Sequence, residues 1–153
     1  MAYAVQSDLV PLRVTQKDLT ELTVDVPSGN AGADAEATAS IVSAALEEAS
    51  GRVDSYCRAR YATPLQVSDD VKSLTLDITL YLLFTRRRET RASDTVQQRF
   101  EQAMAFLKDI SAARASLDQP ASAAAPQTSL AGPAISDYDR RLVFREEHIE
   151  GFV

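Results

Sequence analysis

Residues 42–65 constrain the fold more than any other stretch of this chain. Val42, Leu46, Ala49, Val53 and Tyr56 recur at alternating spacings of four and three. That spacing gathers one apolar stripe on a helix. The stripe runs into Arg60-Tyr61-Ala62-Thr63-Pro64-Leu65, where Pro64 forbids helical continuation and biases Thr63 to extended backbone. The pattern predicts one long helix, opening at Asp34 or Thr38 and closing near Tyr61. At 1.5 Å per residue it is about 40 Å long. Gly51 inside it costs about 1 kcal/mol relative to Ala and marks a close helix crossing or a slight bend. Glu48–Arg52 and Asp54–Arg58 stand four apart with the acid first, the order that stabilises a helix surface by a few tenths of a kcal/mol.

The flanking segments read as shorter helices packed around that one. Ser7 caps a turn through Asp8, Leu9 and Val10. Thr15 followed by Asp18 is an N-cap signal for a helix over 17–22. Tyr3, Leu9, Val10, Leu19 and Leu22 are its apolar contacts. Residues 24–34 carry Pro27, Gly29 and Gly32 and read as an exposed loop. A phosphate cradle there would need a Lys-Ser/Thr ending and a preceding strand, which the chain lacks. Ser68-Asp69-Asp70 places acids at the positive end of a helix dipole. In the run 71–84, Leu74, Leu76, Ile78, Leu80 and Leu82 alternate as in a strand, while Val71, Leu74, Ile78, Tyr81 and Leu82 fit one helical face. Length and cap decide for a helix, apolar on more than one face and central in a bundle. A last helix opens at Ser93 or Asp94 and runs to about Leu117, with Val96, Phe100, Ala103, Met104, Leu107 and Ile110 as its stripe. The expected fold is all-α, a bundle of about four to five helices over residues 1–117. An Ala/Pro/Ser-rich linker follows over 118–134, then an extended docking arm over 135–153.

The formal charge of −6 and pI near 4.8 make a poor surface for wrapping DNA, though a suitable wall for a passage along which DNA slides. By region the balance is about −4 over 1–67, +1 over 68–117 and −3 over 118–153, compatible with head-to-tail assembly around a ring. The single cysteine, Cys57, excludes an internal disulfide and reads as a small buried hydrophobe. No apolar run approaches the roughly 20 residues that span a bilayer, so no membrane association is expected. The N-terminus lacks the basic start and apolar stretch of a signal peptide. Arg86-Arg87-Arg88-Glu89-Thr90-Arg91 complements a helix C-terminus; its alternative role is contact with phosphate or an acidic partner, although interleaved aromatics for base stacking are missing. His148, beside Glu147 and Glu150, is a low-specificity metal signal. No HExxH, CxxC or GxSxG pattern is present. The expectation is a protein that is not an enzyme and takes no cofactor or metal. In the arm, Leu142, Phe144 and Ile149 are too apolar for a segment that merely stays solvated. Residues 141–145 have the length and β propensity to add to a partner as an edge strand.

Three patches together resemble one family. The first is Met1-Ala2-Tyr3-Ala4 with Asp8-Leu9. The second is Ala49-Ser50, Val53-Asp54-Ser55-Tyr56 and Arg60-Tyr61-Ala62-Thr63-Pro64-Leu65. The third is Val143-Phe144-Arg145 with Gly151-Phe152. In order along nearly the whole chain, they resemble the Mu-type neck protein family of tailed bacteriophages, helical head–tail connector (adaptor, or head completion) proteins. The resemblance implies a homo-oligomeric ring, usually dodecameric, beneath the portal. Such a ring links capsid to tail and lines the DNA exit channel, with genomic DNA passing without sequence-specific binding. It implies the portal protein and a stopper or other tail-side neck protein as partners. It also implies a place in the virion neck after synthesis in the bacterial host cytoplasm. Carried over by position, Val53, Asp54, Tyr56, Arg60, Tyr61, Pro64 and Leu65 fall in the motif around the end of the long helix. Val143, Phe144, Gly151 and Phe152 match the arm, where Arg141, Leu142, Arg145 and Ile149 join them as candidate partner contacts. The chain departs from the family pattern in its long 24–34 loop and in Cys57, where a larger aliphatic residue is expected. The alternative function is a small helical DNA-binding regulator with an acidic tail, reading DNA near Arg58–Arg60; the net charge and the missing basic face oppose it.

Overall fold

The computed structural model describes residues 2–11, 13–26, 28–86 and 92–120. Five helices follow one another: α1 (Gln6–Leu9), α2 (Gln16–Thr23), α3 (Ala31–Cys57), α4 (Asp69–Arg86) and α5 (Asp94–Ser111). Among the described residues there is no strand, and the fold is all-α. The arm residues 135–153 lie outside the described residues.

Local chemistry explains most boundaries. The Thr15 hydroxyl accepts from the Asp18 N–H at 3.2 Å and donates to its carboxylate at 2.7 Å, capping α2. The Ser93 hydroxyl accepts from Val96 N at 3.4 Å at the head of α5. At α1, Ser7 is inside the helix rather than its cap; Asp8 reaches back and accepts from Val5 N at 2.9 Å. The long helix begins at Ala31, earlier than expected, because Asn30 supplies the cap: its Oδ1 accepts from Gly32 N at 3.0 Å. Ser28 closes the loop onto the first turn by donating its hydroxyl (2.7 Å) and N–H (3.0 Å) to Asp34. Those two bonds hold the Asp34 carboxyl below its usual range. Once capped, the Ala-rich first turns outweigh the cost of Gly32.

The α5 helix stops at Ser111, short of Leu117. Ala113 takes a left-handed φ of 63°, with Arg114 N donating to Asp109 O at 2.8 Å and Ala113 N to Ile110 O at 3.1 Å. These are the paired bonds of a Schellman stop, formed here on an alanine rather than a glycine.

Packing follows from α3 and α4 lying antiparallel at the centre. At one end Ala49, Val53 and Cys57 of α3 meet Val71, Leu74 and Ile78 of α4 and Leu107 and Ile110 of α5. At the other end Val42 and Leu46 meet Leu76, Leu80 and Leu83, closed over by Leu9, Leu19 and Val96. Neighbours thus surround α4, which explains why both periodicities are written in its sequence. Its buried hydroxyls are satisfied within the helix: Thr75 donates to Val71 O at 2.8 Å and Thr79 to Thr75 O at 2.7 Å. Between elements, Thr23 of α2 and Thr38 of α3 share a buried hydroxyl contact of 2.9 Å.

Several expectations are corrected in detail. The α3 stripe is completed by fully buried Cys57, while Tyr56 is only half-buried. Gly51 is exposed, with open space where a Cβ would stand, so it serves no close crossing. The Glu48–Arg52 pair forms at 2.7 Å, but Asp54 turns to a different partner.

Candidate functional site

That partner is Tyr3, and around it the residues of the second patch converge. Tyr3 is 3% exposed. Its hydroxyl donates to Asp54 Oδ1 and accepts from Leu65 N at 2.8 Å. Its N–H donates to Ser50 Oγ at 3.1 Å, and Ser50 donates to Leu46 O at 2.7 Å. One side chain from the N-terminal segment therefore joins the body of α3 to the strand-like connection that follows it. Burial, and then the bond to the Asp54 carboxylate, pushes the Tyr3 hydroxyl up to about 12. Burial beside Asp54 also pushes the Cys57 thiol up to about 11, so Cys57 is a packed thiol rather than a nucleophile.

The α3–α4 connection in turn holds the far end of the described chain. Arg60 extends from the end of α3 and donates to Ile110 O at 3.2 Å and Ala115 O at 2.8 Å. A cation there meets the negative end of the α5 dipole; it adds to the bond that Ile110 O already accepts from Ala113 N and ties down Ala115 beyond the helix. The Tyr61 hydroxyl, buried, accepts from Leu117 N at 2.7 Å. The Gln119 amide pairs with the Gln66 backbone in both directions, accepting from its N–H at 2.7 Å and donating to its C=O at 2.8 Å. Ala62 N reaches Pro120 O at 3.4 Å. Residues 115–120, which follow α5 and its stop, are thus laid along 60–66 and fixed at both backbone and side chain.

Each residue singled out in the second patch has a place in this corner. Val53 is buried at its base, Asp54 receives Tyr3, Tyr56 packs half-buried against the core, and Leu65 closes it. Arg60 and Tyr61 bind the 115–120 segment. Pro64 is exposed, in a cis bond with Thr63. Gln66 and Gln119 carried no signal in the sequence; they are 53 residues apart, and nothing local pairs them. The arm candidates Arg141, Leu142, Val143, Phe144, Arg145, Ile149 and Phe152 lie outside the described residues, as does His148.

The polar atoms of the corner are turned to one another and to backbone, so the arrangement fixes geometry: it holds the described chain in place as far as Pro120. Among the described residues no group of three His, Cys, Asp or Glu side chains is placed to hold a metal. None of the described helices is long and apolar enough to cross a membrane. The basic cluster begins as a structural device. Arg86 donates to Leu22 O at 3.3 Å and Thr23 O at 2.8 Å and pairs with Asp25 at 2.9 Å, closing the C-terminal end of α2. Arg87, Arg88 and Arg91 lie outside the described residues.

A search of curated proteins returns no match. The family model described as "Bacteriophage Mu, Gp36" matches residues 3–134, beginning at Tyr3, taking in the whole corner and ending before the arm. The chain belongs to this bacteriophage Mu family, which gives it a role in phage structure or morphogenesis.

Proposed function

We propose that this protein is a head–tail connector (adaptor) of a tailed phage virion. It is the subunit of a ring, dodecameric in the family pattern, seated beneath the portal in the neck. The ring joins capsid to tail, receives a stopper or other tail-side neck protein on its distal face, and lines the channel through which genomic DNA leaves. Residues 135–153 are the arm that grips the portal.

The observation that carries the proposal is the corner. A ring subunit needs a rigid body and a tether whose root does not shift under load. Here the root of the C-terminal segment is tied to the long helix by Arg60, Tyr61 and Gln119, and the same corner is tied to the N-terminus by Tyr3. Net charge of −6 suits a channel wall that must not hold DNA. Of the Arg58–Arg60 stretch that the regulator alternative would use, Arg60 has its guanidinium engaged with the carbonyls of Ile110 and Ala115 instead. The test is to mix the full-length protein with purified portal, measure mass by light scattering and image the product. Twelve-fold rings, or assembly that depends on portal, support the connector. A protein that stays monomeric with portal, or a salt-sensitive complex with short duplex DNA, overturns it.

A further inference from the structure

The end of α5 is a stop without a stop signal. Helices commonly end where a Gly or Asn turns left-handed, or shortly before a Pro. Residues 112–117 read Ala-Ala-Arg-Ala-Ser-Leu, with no Gly, Pro or β-branched residue and mostly strong helix formers. The next breaker is Pro120. The apolar spacing of α5 also continues, since Leu117 follows Ile110 at i+7, on the same face. Yet α5 ends at Ser111, and Ala113 takes the turn at φ 63°, a conformation that crowds the Cβ of an L-residue. Ala112, Ala113 and Arg114 are all exposed, so packing of their side chains does not require it. What holds the segment out of the helix lies in the corner. Arg60 donates to Ala115 O, the Tyr61 hydroxyl accepts from Leu117 N, the Gln119 amide pairs with Gln66, and Leu117 is buried.

We infer that residues 112–118 are a two-state element: latched along 60–66, as in this structure, or continuing α5 to about Asp118. Pro120 sets that limit, because it biases Gln119 away from helical backbone. In the second state Leu117 N donates to Ala113 O instead of to Tyr61, and Ala113 leaves the left-handed region. Pro120 moves off Ala62 and stands beyond the end of the lengthened helix. The latch bonds all fall on one short segment, so they are given up together and the latched state holds while they are in place. Linkage fixes what drives the change. A partner that binds the vacated Arg60 guanidinium and Tyr61 hydroxyl better than residues 115–117 do shifts the corner to the extended state. The inference rests on the corner's bonds and stands or falls apart from the connector reading.

Two variants of the full-length chain reach the second state by different routes, and the Cα chemical shifts of residues 112–118 read it. Arg60→Met/Tyr61→Phe/Gln119→Ala removes the side-chain bonds to Ile110, Ala115, Leu117 and Gln66 while keeping the apolar bulk of the first two side chains. Ala113→Val leaves the corner untouched, but a β-branched residue is a steric outlier at positive φ. Its exposed position keeps the core out of that experiment, so it stands even where the triple variant folds poorly. In both variants the Cα resonances of Ala115 and Leu117 move to helical values. Adding Ala113→Gly to the triple variant lowers the ratio of helical to non-helical segment by ~5-fold. Coil values in either variant overturn the inference, because the freed segment then has no second ordered state. Shifts unchanged from wild type in either variant also overturn it, because the latch and the left-handed turn are then not what keep α5 short.

Discussion

Replacing Tyr3 by Phe removes one oxygen and tests the corner directly. That hydroxyl makes two bonds, one to the Asp54 carboxylate and one from Leu65 N. A bond to a charged group contributes about 1.5–3 kcal/mol, and a buried donor left without a partner costs about 1–3 kcal/mol. Asp54 is only half-buried and regains water, so the two do not add in full. The expected loss is about 2–3 kcal/mol, from Leu65 N–H left bare and the charged bond broken. For a domain of this size the midpoint of thermal unfolding falls by roughly 8–12 °C. Circular dichroism at the helical band, in urea and on heating, reads both. The sign of the pH dependence follows from the hydroxyl's displacement. Tyr3 ionises at about 12 when folded and at 10.0 ordinarily, so its neutral form is favoured by the fold. Its contribution is complete below pH 10 and is lost as pH rises towards 12, about 3 kcal/mol in all. The gap in stability between wild type and Tyr3→Phe therefore narrows across that window and is flat below it. A loss under about 0.5 kcal/mol at neutral pH, or a gap that does not narrow above pH 10, refutes the role given to Tyr3.

Other substitutions separate the remaining parts. Ala113→Gly relieves the left-handed alanine at φ 63° and raises stability by about 0.5–1 kcal/mol, the gain being reduced by glycine's freer unfolded chain; a destabilised variant in urea titrations speaks against strain there. Gln119→Ala breaks the two-way pairing with Gln66 and costs about 1–2 kcal/mol. Hydrogen exchange at Gln66 N–H accelerates with it, while exchange in the middle of α4 is slowed or quickened only by the global change. Ending the chain after Ala134 leaves a folded helical domain, seen by circular dichroism, but abolishes attachment to portal in co-sedimentation. Retained attachment would remove the arm as the main anchor.

How far the sequence could be read depended on the range of the interaction. Helices α2 and α5 start where Thr15 and Ser93 cap them, since a cap is a bond between residues three apart. The start of α3 was displaced because Gly32 looks like a breaker, while the feature that decides is Asn30 two residues before it. The α4 ambiguity could not be settled by periodicity, because a helix packed on several sides buries residues at every spacing. Tyr56 and Cys57 exchanged roles in the stripe for a related reason: a four-residue step and a three-residue step differ by one position, and the partner helix chooses between them.

What the sequence determined by itself was the set of helices and the family motif from Val53 to Leu65, although α3 ends at Cys57, before the Tyr61 expected from Pro64. These rest on periodicity, capping and backbone restriction, which act within a few residues. What only the tertiary structure decided was the purpose of that motif. Asp54 had a plausible neighbour in Arg58 and took Tyr3, 51 residues away. Arg60, which the DNA-binding alternative would turn towards DNA, instead bonds Ile110 O and Ala115 O, 50 and 55 residues away. Arg86 belonged to an apparent basic patch and instead ends α2. Long polar side chains have many partners within reach in sequence, and burial selects the one that leaves no backbone group bare; that selection exists only once the helices have packed.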